Sequence, residues 1–171
     1  MPEIVFAAIS PHPPIILPQV GSKEDREKVK KTIANLEFLG KELKKVNPDK
    51  IIISSPHPDW GFDVPLHFLT GGFKGKVEQH LIGLESSQLY FEQGKKLYQK
   101  INRNPTLAKI ALIASGDLSH CLKEGGPYGF KYDGPKFDKA LIDSLEKKDI
   151  ETILKLGKMY PQAQECGLRS F

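Results

Sequence analysis

Cysteine and long apolar runs are both scarce in this sequence. Cys121 and Cys166 are the only cysteines among 171 residues, which is too few for a disulfide scaffold and favours a reducing, cytoplasmic environment. The longest apolar run is far shorter than the roughly 20 residues that span a bilayer, so we expect no membrane segment. Residues 1–4 contain no basic side chain, and we therefore expect no signal peptide.

An excess of one charge sign is also absent. The net charge is +4, and the 25 basic and 21 acidic residues are mixed, as in the segment Glu24–Lys28. No basic block and no interleaved aromatic residues accompany this charge, which indicates a solvated surface rather than a nucleic-acid interface. A hydrophobic share of 39% is typical of a soluble globular protein, and the length fits one domain.

The order of the predicted elements indicates an α/β domain. Strands are expected in five apolar segments: Glu3–Ile9, Lys50–Ser54, Phe62–Thr70, Lys76–Gly83 and Lys109–Ser115. Helices are expected from an N-cap at Ser22 to Val46, over Ser87–Ile101, and at two further starts marked by Asp133 and Asp149. Strands that alternate with helices predict a three-layer αβα domain with a mostly parallel or mixed central sheet.

The tetrapeptide Ser-Pro-His-Pro occurs twice, at residues 10–13 and 55–58, each time at the end of a predicted strand. Proline restricts its own φ angle and the conformation of the preceding residue, so each histidine has little backbone freedom. The carboxyl ends of neighbouring parallel strands meet at one crevice, where we expect His12 and His57 to converge on a metal ion. His120 follows a third predicted strand and is expected at the same edge of the sheet.

Two histidines need a further ligand to complete a metal site. Two histidines and one carboxylate on one face form the usual site of non-haem Fe(II). Spacing alone does not choose among four acidic candidates: Asp59, Asp117, Glu124 and Glu165. The other two histidines, His67 and His80, do not follow predicted strands in this way, and we expect them to be structural or surface residues.

Five segments in order along the chain carry a family pattern: residues 10–14, 55–57, 115–120, 127–130 and 165–169. Together they resemble the class III extradiol ring-cleavage dioxygenases, specifically the catalytic B subunit of the LigB-like superfamily. The branch that they resemble is related to Memo proteins and is found beside AMMECR1 domains. The resemblance implies that residues 1–171 form a single LigB-like domain. It also implies a truncated C-terminal end, because catalytic B subunits continue well beyond the position of Glu165.

The resemblance also implies a set of metal ligands. His12, His57 and Glu165 would bind Fe(II), with His120 as the acid/base group that assists proton transfer. Cys166 is the alternative third ligand, because Memo-like relatives place the cysteine of a Cys-Gly motif at the site. The position of the Glu-Cys-Gly pattern favours Glu165. A carboxylate would favour iron, whereas a thiolate would favour zinc or copper.

Three further residues receive roles from the same comparison. Asp117 would orient His120 as part of the catalytic group, and Tyr128 and Phe130 would line the pocket for an aromatic ring. The expected partners are a small aromatic substrate and O2, and either an AMMECR1-type domain or a small dioxygenase subunit. We also expect a homo-oligomer that binds neither nucleic acid nor membranes.

The expected function is that of a cytoplasmic oxidoreductase, an Fe(II)-dependent extradiol dioxygenase acting on a catechol-type aromatic. Two alternatives stay open. One is a Memo-like metal-binding protein that works with AMMECR1-type and radical-SAM partners without cleaving a ring. The other is a metal-dependent hydrolase in which His12, His57 and Asp59 bind zinc or manganese and His120 is a base.

Overall fold

The strands of the sheet are all parallel. The computed structural model describes residues 2–103 and 108–171. Within them lie four strands: β1 (Glu3–Ser10), β2 (Lys50–Ser55), β3 (Lys76–Leu81) and β4 (Lys109–Ser115). Their order across the sheet is β1-β4-β2-β3. The predicted α/β class is confirmed. The prediction that His12 and His57 follow neighbouring strands is wrong, because β4 lies between β1 and β2 and pairs with both.

Helices cover both faces of this sheet. They are α1 (Lys23–Lys28), α2 (Lys30–Val46), α3 (Trp60–Leu69), α4 (Ser87–Arg103), α5 (Asp133–Lys147) and α6 (Ile150–Met159), with a short 3-10 turn at Pro14–Ile16. The predicted caps at Ser22 and Asp149 are confirmed, since each side chain accepts a backbone N–H of its helix. The single helix predicted from Ser22 to Val46 is instead two helices, because the backbone leaves helical geometry at Val29.

One predicted strand is a helix. The segment Phe62–Thr70 alternates apolar and polar residues, which predicted a strand, but the structure has α3 there. This helix is buried on more than one side: Phe62 and Leu69 contact one apolar cluster and Val64 another. A helix buried on several sides has apolar residues at many spacings, so periodicity could not distinguish it from a strand.

The core forms two layers against the sheet. On one face, Leu43 of α2 and Phe62 of α3 pack on Ile51 and Ile53 of β2. On the other face, Ile101 of α4 packs on the strands through the cluster that also contains Ile52 and Ile110. This arrangement is the expected three-layer domain. Within the described ranges, no helix has the length and apolar character that a membrane span requires.

Replacing Leu43 with alanine tests the larger of these two layers. Leu43 is 2% exposed, and its loss should lower the free energy of unfolding by about 2–5 kcal/mol through lost burial and a residual cavity. Leu84 is 90% exposed and supplies the matched control, since Leu84→Ala should change stability by about 0.5 kcal/mol or less. Urea unfolding measures both, and equal effects would contradict this description of the core.

Candidate metal centre

Three strands end in a serine that is fully buried: Ser10 in β1, Ser55 in β2 and Ser115 in β4. Each hydroxyl donates a hydrogen bond to a backbone carbonyl just beyond the sheet. Buried hydroxyls need such partners, and these bonds tie the loops closely to the strand ends. The two Ser-Pro-His-Pro turns and the loop after β4 therefore meet over one edge of the sheet.

The two identical tetrapeptides are stabilised by different partners. The backbone N–H of His57 donates to Ser55 Oγ of its own turn, at 3.1 Å. The backbone N–H of His12 instead donates to Asp117 Oδ1 in the loop after β4, at 2.9 Å. The first bond is local, whereas the second joins two loops. The backbone position of His12 therefore depends on the loop after β4, whereas the backbone N–H of His57 is satisfied within its own turn.

The hydrogen bonds around His12 determine its tautomer. Ser115 donates its single hydroxyl proton to the Gly61 carbonyl at 2.5 Å, so its Oγ can only accept from His12 Nδ1, which lies 2.9 Å away. Nδ1 therefore carries the proton, and Nε2 keeps a free lone pair. Burial lowers the pKa of His12, with Asp117 opposing and His57 and His120 assisting, which favours the neutral ring. A neutral imidazole with its second nitrogen hydrogen-bonded is a typical metal ligand.

The sulfur of Cys166 lies beside both Ser-Pro-His-Pro histidines. Cys166 Sγ is 3.4 Å from His12 Nε2 and accepts the Asp117 backbone N–H at 3.3 Å. One ligand atom each of His12, His57 and Cys166 lies within 4.8 Å of the others. Two imidazoles and a sulfur at this spacing fit a transition-metal ion such as iron, zinc or copper.

Two glycines bring Cys166 to this place. The Gly167 N–H donates to the Asp117 carbonyl at 3.1 Å. A Cβ on Gly116 would lie only 2.2 Å from Gly167 Cα, so any side chain at Gly116 would separate the two loops. The Cys-Gly and Gly-Asp pairs of the sequence thus have a packing reason, which is the close approach of two backbones.

A second group of three shares the same cysteine. Asp117, His120 and Cys166 also offer ligand atoms within 4.8 Å of one another. Asp117 Oδ2 lies 3.9 Å from His120 Nε2, and this carboxylate together with Cys166 raises the pKa of His120 to about 10, against the effect of burial. Burial raises the pKa of Asp117, but the neighbouring His120 and His12 outweigh this effect and lower the pKa. These neighbours favour the protonated form of His120 at neutral pH.

Glu165 has other contacts. Its Oε2 accepts the Leu168 N–H at 2.6 Å, and its Oε1 lies 3.8 Å from Arg169. Burial raises its pKa, with the Leu168 N–H and Arg169 opposing. Within residues 2–103 and 108–171, neither metal-capable group includes Glu165, or the exposed side chains of Asp59 and Glu124. The structure thus puts Cys166 rather than Glu165 beside the two histidines.

The two residues predicted to line the substrate pocket have different neighbours. The Tyr128 ring packs against the His120 ring, with centroids 5.0 Å apart, whereas Phe130 packs against Tyr132 at 5.3 Å. Sequence reasoning missed Trp60, whose ring lies 5.6 Å from that of His57. Its place directly after the second Ser-Pro-His-Pro was the one available signal. Cavities of about 570 and 560 Å³ lie along α4 and Phe171, and none of the residues in the two metal-capable groups lines them.

Comparison with known proteins identifies the family of this chain. The family model of the catalytic LigB subunit of aromatic ring-opening dioxygenase matches residues 56–171, about two thirds of the chain. The chain belongs to the LigB family. This LigB domain is also 27% identical to a Clostridium acetobutylicum protein, Protein CA_C1420. The alignment is 235 positions long and covers 94% of the chain and 49% of that protein. The chain thus spans about half the length of that curated relative.

Removing the Ser115 hydroxyl tests the tautomer argument. In Ser115→Ala the Nδ1–H of His12 loses its acceptor, so the ring can rotate or change tautomer, and Co2+ or Zn2+ should bind about 10- to 100-fold more weakly. Calorimetric titration measures this change. Ser144→Ala removes another buried hydroxyl, on α5, and should leave the affinity unchanged. Equal affinity of Ser115→Ala and the wild type would show that Ser115 has no part in metal binding.

Replacing Asp117 with asparagine tests the charge state of His120. Asp117 is the largest cause of the raised pKa, so without its charge the pKa should fall from about 10 toward the ordinary 6.5. NMR titration of the imidazole signals in metal-free protein measures the change, and the exposed His67 supplies an internal control in the same spectra. A His120 midpoint that does not fall in the variant would contradict this account.

Proposed function

We propose that this LigB domain binds one transition-metal ion through His12, His57 and Cys166 and opens the ring of a catechol-type aromatic with O2. The observation that carries the proposal is the convergence of these three donors within 4.8 Å, with His12 Nε2 unprotonated and 3.4 Å from Cys166 Sγ. The domain's membership of the family of ring-opening dioxygenase subunits supports the choice of reaction.

Each residue has a distinct part in this proposal. His12, His57 and Cys166 bind the ion, and Fe(II) there would supply Lewis-acid and one-electron chemistry toward a diol and O2. His120, protonated at neutral pH, donates a proton to the reacting oxygen atoms and takes one from the diol later in the cycle. Asp117 keeps His120 charged and in place. Tyr128 offers an exposed ring beside His120 for contact with an aromatic substrate.

The donor set also favours a second candidate. Thiolate sulfur prefers softer metals such as zinc and copper, whereas ring-opening Fe(II) sites use a carboxylate as the third ligand. Cys166 beside the two histidines therefore supports a Memo-like metal-binding protein that works with AMMECR1-type and radical-SAM partners without ring cleavage. The two candidates share the metal site and differ in the ion and in the reaction.

Oxygen uptake distinguishes the two candidates. The protein is purified without oxygen, loaded separately with Fe2+, Zn2+ or Cu+, and mixed with a panel of catechols in an oxygen-electrode cell. Ring opening predicts O2 uptake with the Fe2+ form alone, together with a yellow ring-opened product. Binding of Zn2+ or Cu+ in preference to Fe2+, with no uptake on any catechol, would overturn the dioxygenase proposal in favour of the second candidate.

Variants of the ligands test the site itself by metal content. Cys166→Ala should lose the ion, whereas Glu165→Gln should retain it because the Glu165 carboxylate is bound to Leu168. Cys121→Ala is the matched control, since Cys121 is buried outside both metal-capable groups. His120→Ala should keep the ion and lower turnover about 10²- to 10⁴-fold. Loss of the ion from His120→Ala would instead make His120 a ligand.

A further inference from the structure

We infer that Pro65, a residue of α3 with no place in the metal site, is a positioning residue for the ligand His12. The inference rests on the metal site proposed above and names a part of the chain that controls it. The connection runs through two hydrogen bonds, from His12 to Ser115 and from Ser115 to the Gly61 carbonyl. Gly61 lies four residues before Pro65 in the same helix.

Pro65 affects the Gly61 carbonyl because proline has no backbone N–H. In a regular α-helix the carbonyl of residue 61 accepts the backbone N–H of residue 65. Residue 65 is proline, which has no N–H, and its ring also pushes against the carbonyl four residues earlier. The Gly61 carbonyl thus has no N–H donor four residues later in the helix. It accepts the Ser115 hydroxyl at 2.5 Å instead, from the end of β4.

The position of Gly61 makes this contact specific. A Cβ at Gly61 would lie 2.0 Å from Ser55 Oγ and 2.9 Å from His57 Cβ, so the bare backbone packs directly against the end of β2. The first turn of α3 is therefore held close to the second Ser-Pro-His-Pro turn. Pro65 is itself fully buried, so its effect on the carbonyl is not relieved by solvent.

The bond between Ser115 and Gly61 affects the metal ligand His12 through the position of the Ser115 hydroxyl proton. Because Ser115 donates its only hydroxyl proton to the Gly61 carbonyl, its oxygen accepts the Nδ1–H of His12. His12 Nε2 is then unprotonated and able to bind the metal. A backbone N–H at residue 65 would compete with Ser115 for the Gly61 carbonyl, and where it displaced Ser115 the hydroxyl could turn and donate to His12 instead. That change would favour the other tautomer, in which Nε2 carries the proton and cannot bind a metal.

Replacing Pro65 with alanine restores an N–H to the helix and tests this inference. A proline in a helix interior is unfavourable, so Pro65→Ala should unfold at an equal or higher urea concentration than the wild type. At the same time Co2+ should bind about tenfold more weakly. A merely structural role of Pro65 would make stability and metal affinity change in the same direction. Pro65→Val, which restores the N–H and more of the ring's volume, should behave like Pro65→Ala and serves if that variant does not fold.

Two further measurements isolate the mechanism. Long-range proton–nitrogen NMR spectra of the metal-free protein should show His12 protonated at Nδ1 in the wild type, and a mixture of the neutral Nδ1-protonated and Nε2-protonated tautomers in Pro65→Ala. In a Ser115→Ala background, Pro65→Ala should cause no further loss of Co2+ affinity, because both changes break the same connection. Pro135→Ala is the matched control, because Pro135 lies in the first turn of α5, where a backbone N–H has no helical partner.

The outcomes separate this inference from the proposed function. An unchanged His12 tautomer and unchanged Co2+ affinity in Pro65→Ala would overturn the role of Pro65 while leaving the metal site intact. A wild-type protein that shows the Nδ1 tautomer but binds no Co2+ would overturn the proposed function, while the tautomer shift in Pro65→Ala would still support the connection. A further loss of Co2+ affinity when Pro65→Ala is added to Ser115→Ala would also overturn the role of Pro65.

Discussion

The contact between two backbone segments at Gly116 and Gly167 makes the candidate site possible. The Gly167 N–H donates to the Asp117 carbonyl, and the two glycines approach more closely than any side chain would allow. This contact brings Cys166 from a distant part of the chain to the edge of the sheet. Without it, the edge would have the histidines and Asp117 but no sulfur, and both metal-capable groups would be lost, because each includes Cys166.

The two histidines that face this sulfur are oriented by different forces. His12 is fully buried, and hydrogen bonds at its backbone N–H and at Nδ1 determine both its place and its tautomer. His57 is partly buried, and its ring packs against Trp60 on one side and edge-on against His12 on the other. The hydrogen bonds of His12 determine which of its ring nitrogens is protonated, whereas the packing of His57 determines only the orientation of its ring plane. The candidate centre thus combines one histidine of defined protonation with one whose orientation depends on packing.

Local signals account for the parts of the fold that could be predicted. The caps at Ser22 and Asp149 act within one helical turn, and the buried strands are short apolar runs, so neighbouring residues suffice to indicate them. The helix α3 and the strand order could not be predicted in the same way. Both depend on what packs around the segment: α3 is buried on several sides, and β4 enters the sheet between two earlier strands. The placement of the Glu165 and Cys166 side chains could not be predicted either, because the two residues are adjacent in the sequence but have different contacts in the structure.

By itself, the sequence determined that His12, His57 and His120 follow strands on short turns, because proline restraint and strand ends are local properties. Together with the parallel sheet, this is enough to predict a shared edge and a metal. Only the tertiary structure shows which atoms come together at this edge. The nitrogen that His12 presents depends on Ser115 and Gly61, and the place of Cys166 beside the two histidines depends on the contact of Gly167 with the loop after β4. These bonds join residues far apart in the chain, so no local pattern encodes them.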